Sequence, residues 1–411
     1  MNQPEAARCL LCKKPKCSLF GCPVHTPVPE CMALYREGRL EEAGRILFEN
    51  NPLTSITSLI CNWDRFCLGH CVLNARNEPV RWYAIEQEIS GNYLTQCHLT
   101  RDEAPAGKTV AIVGTGPAGI AAAIWLYKKG FDITLFDANP RLGGVLRYGI
   151  PSFRLDKKYV DEFERIIQEA GIPLEGGKKL GRDIDVPTLS ERFDAVFLAT
   201  GAEEAMRLHI PGEDRKNVIK ALDYLKDPSS FDLGAKVIVI GGGNVAMDSC
   251  RTAVRSGAET WVYYRKTFEN MPANPREVEE AKADGVRFQV FQAPVEVVDG
   301  GVIFRDCENV TDPETGRIST RIIEGTDHFV TCDTLIPAIS ERPELAVFGD
   351  VQPAQENRWP VAGERNRLAF SDPSIDNVFT AGDFILGPKT VVEAVASTKV
   401  AVEGILAYFA K

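Results

Sequence analysis

An apolar strand, a glycine-rich turn and an apolar helix follow one another twice in this chain of 411 residues. The first unit runs from Val110–Val113 through Gly114-Thr-Gly116-Pro117-Ala118-Gly119 into a predicted helix over Ile120–Lys128. The second runs from Val237–Ile240 through Gly241-Gly-Gly243-Asn244-Val245-Ala246 into a helix through Met247 and Cys250. In such a unit the glycines allow a tight turn, close approach of a pyrophosphate and close packing of helix on strand. Ala246 meets the last need, because only a small side chain is required there. The helix starts then direct backbone N–H groups at an anion. The pair predicts an α/β chain with two Rossmann-like dinucleotide-binding domains.

The second strand of each unit distinguishes the two. The strand Ile133–Phe136 ends at Asp137, the spacing at which an acid accepts hydrogen bonds from a ribose. The strand Thr260–Tyr264 ends instead in Arg265-Lys266. An acid there would repel a 2′-phosphate, whereas these cations attract one, which favours NADPH over NADH. A plain surface pair of cations is the competing reading. One tightly held and one exchanging dinucleotide suit hydride transfer between nicotinamide and flavin.

The second unit reads as an insertion in the first. Phe193–Gly201 looks like the close of the first flavin segment, and Thr331–Ala338 like the matching strand at the return. A strand at Val378-Phe-Thr-Ala-Gly382-Asp383 then leads to a helix over Val391–Phe409. Asp383 is placed to accept from a ribityl chain, or serves as a turn or cap residue. The expected boundaries are a helical domain over 1–100, a flavin domain over 107–205 and 335–411, and a nicotinamide domain over 206–334. Neither unit carries a C-x-x-C pair, so no flavin-to-disulfide relay is expected, and Cys250, Cys307 and Cys332 stand apart.

Nine of the twelve cysteines precede Arg101. Cys9, Cys12, Cys17 and Cys22 form a C-x2-C-x4-C-x4-C-P run, and Cys61, Cys67 and Cys71 follow as C-x5-C-x3-C. Thiolates packed so closely repel one another unless a metal takes up their charge. The proline and the surplus of thiolates favour iron–sulfur clusters, while zinc and buried thiols stay open. Cys31 and Cys97 fall outside the spacing and read as packing residues, and His25 and His70 beside the run are weak ligand candidates. Short helices over Pro29–Tyr35, Leu40–Phe48 and Val80–Tyr93 are expected to fold over this region. Arg8, Lys13, Lys14 and Lys16 form either a solvated face, an offset to cluster charge or a docking site for an acidic partner.

Composition narrows the classes. At 44% hydrophobic the chain can bury two or three cores, and a net charge of -10 argues against a nucleic-acid binder. No run approaches the roughly 18 apolar residues of a membrane span. Residues 1–8 are polar and resemble no export signal, so a cytoplasmic location is expected.

In this order the motifs resemble, over residues 5–409, the family of the small subunit of bacterial NADPH-dependent glutamate synthase. That family includes the N-terminal part of dihydropyrimidine dehydrogenase, the flavin subunit of its bacterial form, and the large subunit of NADH-dependent ferredoxin:NADP oxidoreductase. The resemblance implies a helical N-terminal iron–sulfur domain ahead of the two Rossmann-like domains. It implies two [4Fe–4S] clusters, one on Cys9, Cys12, Cys17 and Cys71, the other on Cys22, Cys61, Cys67 and the non-cysteine ligand Glu86. For FAD it implies Gly114, Gly116, Gly119 and Asp137, the segment Gly143, Gly144, Arg147, Ile150 and Pro151, and the contacts Gly382, Asp383, Thr390 and Val391. For NADPH it implies Gly241, Gly243, Asn244, Val245, Arg265 and Lys266, with Arg276 as a further candidate. Asn62 stands where relatives usually carry proline, and Ser340 where glycine normally follows Ala338-Ile339. The implied reaction passes a hydride from NADPH to FAD, then electrons through the clusters to a larger catalytic subunit or a ferredoxin-like partner. A reductase of a small acceptor acting alone is the alternative.

Overall fold

Runs of β-branched and aromatic residues flanked by glycine form the strands, and both faces of each main sheet are covered. The computed structural model describes residues 2–311, 313 and 318–410. They form two compact units, one of residues 1–147, 152–202 and 343–411, the other of 148–151 and 203–342.

In the first unit Thr109–Val113 lies between Asp132–Asp137 and Ala195–Leu198, with Leu174–Gly176 and Val378–Thr380 at the two edges. All neighbours run parallel, in the register Val110↔Ile133, Val110↔Ala195 and Val378↔Val196. One face buries Ala111, Val113, Val196, Leu198 and Val378 against Leu189 and Phe384. Such continuous apolar strands are what a doubly covered parallel sheet needs. The helices Pro117–Lys128 and Val391–Phe409 belong to the same unit.

The N-terminal helices Val28–Arg36, Leu40–Asn50 and Trp82–Gln96 share a core of Cys31, Met32, Tyr35, Leu47, Trp82, Ile85 and Ile89, and the helix Thr54–Ile60 packs on Trp82–Gln96. Cys9, Cys17, Cys67 and Cys71 pack against its edge. The last helix starts at Trp82 rather than Val80, and the carboxylate of Glu5 accepts from the Arg81 N–H at that start.

In the second unit Lys236–Ile240 pairs in parallel with Glu259–Tyr264, which pairs with Arg287–Val290. On its other side Lys236–Ile240 pairs with Thr334–Pro337, in register Thr334↔Val237. This corrects the expected return: that strand completes the inserted sheet, and the chain re-enters the first unit at Pro343. Alternation along one strand serves two cores. Val237 and Val239 meet Met247, Cys250 and Val262, whereas Ile238 and Ile240 meet Val297, Val302 and Phe304 of an antiparallel sheet. Ile150 and Pro151, expected beside the first glycine turn, also group with this unit rather than with the first. A short antiparallel pair, Glu204–Ala205 with Glu341–Arg342, joins the two ends of the insertion, and Arg342 bridges Glu204 at 2.8 Å.

Candidate functional site: two glycine cradles and two thiol groups

The first cradle lies at the carboxyl ends of parallel strands, where open α/β sheets take ligands. Gly114 turns at φ +95, with the Ala199 carbonyl in the space a side chain would need. A Cβ on Gly119 would meet the Gly114 carbonyl, which explains the third glycine. Gly116 caps the helix Pro117–Lys128 with no side-chain partner, so its first N–H groups are left for a ligand. Gly143 and Gly144 form a second layer. The Gly143 N–H donates to the Thr115 carbonyl at 2.9 Å, and a Cβ on Gly144 would come within 2.7 Å of Gly116 Cα. Gly382 turns at φ +72 with Ala118 beside it, and its N–H donates to Ser397 Oγ at 2.9 Å.

Two candidates hold unexpected partners. Asp137 is buried, and one carboxylate oxygen accepts from the Thr115 N–H at 2.8 Å and the Thr115 hydroxyl at 2.6 Å. Its other oxygen accepts from the N–H and the side-chain amide of Asn139. The acid therefore braces the glycine turn. Arg147 is bound by the Leu142 carbonyl at 2.7 Å, Asp161 at 2.9 Å and Glu164 at 3.3 Å. Its guanidinium ties the Gly143–Gly144 turn to the helix Lys158–Glu169. At the other side of the sheet Thr390 and Glu393 form a reciprocal capping box that starts Val391–Phe409. Asp383 opens the short helix Asp383–Leu386 and accepts from the Lys389 N–H at 3.2 Å.

The second cradle repeats the plan. Gly241 turns at φ +143 against the Ala338 carbonyl, and Ala246 is fully buried behind it. Gly243 starts the helix Asn244–Arg255 without a side-chain cap, and nothing lies within 4 Å of where its Cβ would be. A pyrophosphate fits that opening, next to unpaired helix N–H groups. Asn244 Oδ1 accepts from the Asn274 N–H at 3.0 Å, and Asn274 Oδ1 accepts from the Arg276 N–H at 3.1 Å, so the residues before Arg276 are anchored to the glycine turn. Val245 packs on the core beneath. Arg265 is exposed and makes no ion pair among the described residues. Lys266 is only partly exposed, and its ammonium donates to the Ile318 carbonyl at 3.1 Å.

The cysteines separate into two electrostatic groups. Burial raises the Cys9 thiol, with Cys12 and Cys71 adding to it, and burial with Cys71, Cys9 and Cys12 pushes Cys17 up to about 11. These four line one cavity with Val28, Met32, Val80 and Trp82, and Cys67 reaches its wall. The second group is deeper. Burial, then the charges of Glu86, Cys67 and Cys22, hold Cys61 well above a free thiol, and Cys67 is raised by burial, Glu86, Cys22 and also Cys17, so the two groups adjoin. Burial also pushes Glu86 up to about 7, partly offset by the Thr54 hydroxyl that donates to it at 3.0 Å. Cys31 and Cys97 are buried outside both groups. His25 and His70 each place Nδ1 on a backbone carbonyl, of Ser18 and Phe66.

Burial in both groups favours the protonated thiols and carboxyl, a cost that a cation would offset. Among the described residues no three His, Cys, Asp or Glu side chains converge on a single ion. Zinc needs four donors about 2.3 Å from one centre. Thiolate-rich donor sets of this kind suit multi-iron clusters, in which each iron takes one thiolate.

Sequence reading missed the groups that support these sites. Thr115 and Asn139 hold Asp137, Gly242 makes room for the Tyr264 ring, and Thr54 fixes Glu86. Lys399, on the last long helix, donates to the Val24 carbonyl at 3.1 Å and Asn50 Oδ1 at 2.6 Å. Burial lowers its pKa to about 8, and Cys22 partly restores it. Only Gly242 had a local signal, the unbroken glycine triplet.

Residues 108–398 match the family described as pyridine nucleotide-disulphide oxidoreductase, and residues 1–97 match dihydropyrimidine dehydrogenase domain II, 4Fe-4S cluster. The chain is 35% identical to the glutamate synthase [NADPH] small chain of Azospirillum brasilense, covering 98% of this chain and 88% of that one. It is 34% identical to the Escherichia coli small chain, over 98% and 90%. The NADP(+)-dependent formate dehydrogenase subunit beta of Moorella thermoacetica is 32% identical, over 92% of this chain but 58% of its own length. Among solved structures, Mycobacterium tuberculosis FprA in complex with NADPH has a TM-score of 0.61 at 18% identity, over 74% of this chain and 84% of that one, which speaks for the fold alone. With a 4Fe-4S domain ahead of a flavin-type reductase domain, the chain is an NAD(P)H-dependent FAD oxidoreductase of the family that contains the glutamate synthase small chains.

Proposed function

We propose that the chain takes hydride from NADPH onto FAD and delivers single electrons, through two [4Fe–4S] clusters, to a larger catalytic partner. When bound, the flavin accepts the hydride pair and the clusters carry it away one electron at a time. The observation that carries this reading is the coexistence of two glycine cradles without side-chain caps with two partly buried soft-donor groups in one chain.

The roles of the residues come from their places. Gly114, Gly116, Pro117, Ala118 and Gly119 present helix N–H groups to the FAD pyrophosphate, and Gly143, Gly144 and Gly382 leave backbone room around it. Asp137 holds the turn's shape and, with Thr390 and Val391 at the start of the last helix, completes the flavin cradle. Arg147 positions the Gly143–Gly144 turn rather than touching the cofactor. Gly241, Gly243, Asn244 and Val245 form the nicotinamide cradle. Arg265, exposed and unpaired among the described residues, is the principal 2′-phosphate contact, and Lys266 reaches it by giving up its bond to Ile318. Cys9, Cys12, Cys17 and Cys71 hold one cluster, and Cys22, Cys61, Cys67 and Glu86 the other. No side chain has to act as general acid or base.

The partner reading rests on the relatives: those covered nearly end to end are small chains of a synthase, which points to substrate chemistry on another polypeptide. Among the described residues no helix is long and apolar enough to cross a membrane.

The test is an anaerobic titration of the purified chain with NADPH, following flavin and cluster absorbance with iron and sulfide assayed. Flavin bleaching followed by loss of the cluster bands is expected. Bleaching with intact clusters left oxidised would instead favour a reductase of a small acceptor. In the same titration R265A/K266A weakens NADPH relative to NADH by about 1.5–3 kcal/mol, the worth of one charged hydrogen bond, since Lys266 gives up its bond to Ile318 to make the other. An unchanged preference would remove the 2′-phosphate assignment.

A further inference from the structure

The side chains around the first thiol cavity are apolar and cationic, and neither cradle uses them. Phe20 is 74% exposed, Leu10 61% and Leu19 46%, and Val72 is also exposed. Leu10, Lys16 and Val72 line the same cavity as Cys9, Cys12, Cys17 and Cys71. Gly21, next to Phe20, packs so closely on His70 and the Phe66 carbonyl that a Cβ there would lie 2.8 Å from either. The segment carrying Leu19 and Phe20 therefore sits beside the one carrying Cys67 and Cys71.

Charge defines this patch as sharply as hydrophobicity. From Ala6 to Pro29 the chain has Arg8, Lys13, Lys14 and Lys16 and no acid, in a protein whose net charge is -10. Lys13, Lys14 and Lys16 are exposed and make no ion pair among the described residues. Fully burying a Leu, Val or Phe side chain is worth about 1.5–3 kcal/mol, so four of them left in water on one face favour a contact that covers them. The negative whole repels an acidic protein while this one face attracts it, which selects orientation as well as partner.

We propose that the patch of Leu10, Leu19, Phe20 and Val72, rimmed by Lys13, Lys14 and Lys16, is the docking face for an acidic electron-accepting protein. The inference rests on the electron-transfer reading of the adjoining thiol group and adds where the partner binds and what its surface is. With a cluster held by Cys9, Cys12, Cys17 and Cys71, each encounter would move one electron from it to the acceptor, which is reduced as the cluster is oxidised. Two encounters discharge one hydride, with NADP+ formed and its proton released to solvent. A contact small enough for turnover, under about 1,200 Å², suits a patch of this kind.

The test uses the cofactor-loaded full chain with the acidic soluble domain of cytochrome b5 as probe and basic cytochrome c as opposite-charge control. Reduction of each haem by the NADPH-reduced chain is followed against ionic strength, and binding of oxidised cytochrome b5 is measured calorimetrically without turnover. The acidic probe should bind and be reduced faster at low salt. K13E/K14E should cut its low-salt rate by about tenfold or more and abolish its salt dependence, while speeding cytochrome c. F20A should slow cytochrome b5 severalfold at every salt concentration. Bleaching of flavin by NADPH should stay unchanged in both variants. An unchanged cytochrome b5 rate and affinity in K13E/K14E, or no binding by the parent chain, overturns the docking face. Binding that is lost in K13E/K14E when the parent's clusters never reduce would keep the face and sink the electron-transfer reading.

Discussion

Ser340 and Glu341, side by side, show how single residues depart from a motif and with what effect. Ser340 holds φ 135, a conformation that favours the glycine expected there, and its carbonyl accepts from the Met206 N–H at 3.0 Å. Glu341 is 6% exposed, and burial pushes its carboxyl up to about 7 from an ordinary 4.5. Between those values the folded chain keeps a proton that the unfolded chain has lost. The group's contribution to stability is thus complete below about pH 4.5 and disappears as the pH rises through about 7, by as much as about 3 kcal/mol. Glu341→Gln should be close to neutral at pH 5 and stabilising at pH 8, read as the difference in thermal midpoint from the parent chain. A difference that does not change with pH would mean that Glu341 is not held protonated. The identity of both residues was plain in the sequence, and the departure at Ser340 was visible there. The burial of Glu341 was not, because it depends on the pairing of Glu341–Arg342 with Glu204–Ala205, more than a hundred positions away.

At the scale of elements, the parts that carry their own signals were the legible ones. Both glycine turns, the helix Val391–Phe409 and the helices Val28–Arg36 and Leu40–Asn50 form where the sequence pattern places them, whereas Thr54–Ile60 carried no such signal. Thr390 and Glu393 stand at the spacing of a capping box, each satisfying a backbone donor of the helix start. Thr390→Ala should cost about 1 kcal/mol, measured as a lowered thermal midpoint. It should also reduce the flavin retained after dialysis, since the capped terminus belongs to the proposed cradle. Loss of stability with flavin fully retained would leave Thr390 a cap alone. The strand Thr334–Pro337 was legible as a strand but not as to its sheet. An apolar run fits either parallel sheet equally well, and only its register with Val237–Ile240 decides.

For the whole molecule, what matters is that the helical region and the flavin-type sheet form one unit, while the inserted unit has its own two cores. Within the first unit Lys399 of the last helix binds Val24 and Asn50, so the carboxyl-terminal helix supports the second thiol group. Cys61 also feels the charge of Glu393 at that helix's start. Replacing Glu86 with alanine should therefore remove one cluster without dismantling the unit. Iron and sulfide per chain should fall by half while flavin content stays at the parent level. Full iron in E86A would remove Glu86 as a ligand, and loss of flavin as well would show that the second cluster holds the whole unit together.

By itself the sequence determined the class of the chain: two dinucleotide turns in α/β units, an N-terminal thiol region, and a basic segment in an acidic protein. These are local statements, because a glycine turn, a helix cap or a cysteine spacing acts over a few residues and needs no distant partner. The tertiary structure alone decided that Asp137 and Arg147 brace turns, and which sheet takes Thr334–Pro337. Each of those depends on contacts between residues far apart in the chain. Burial and strand register, unlike propensity, are properties of the packed molecule.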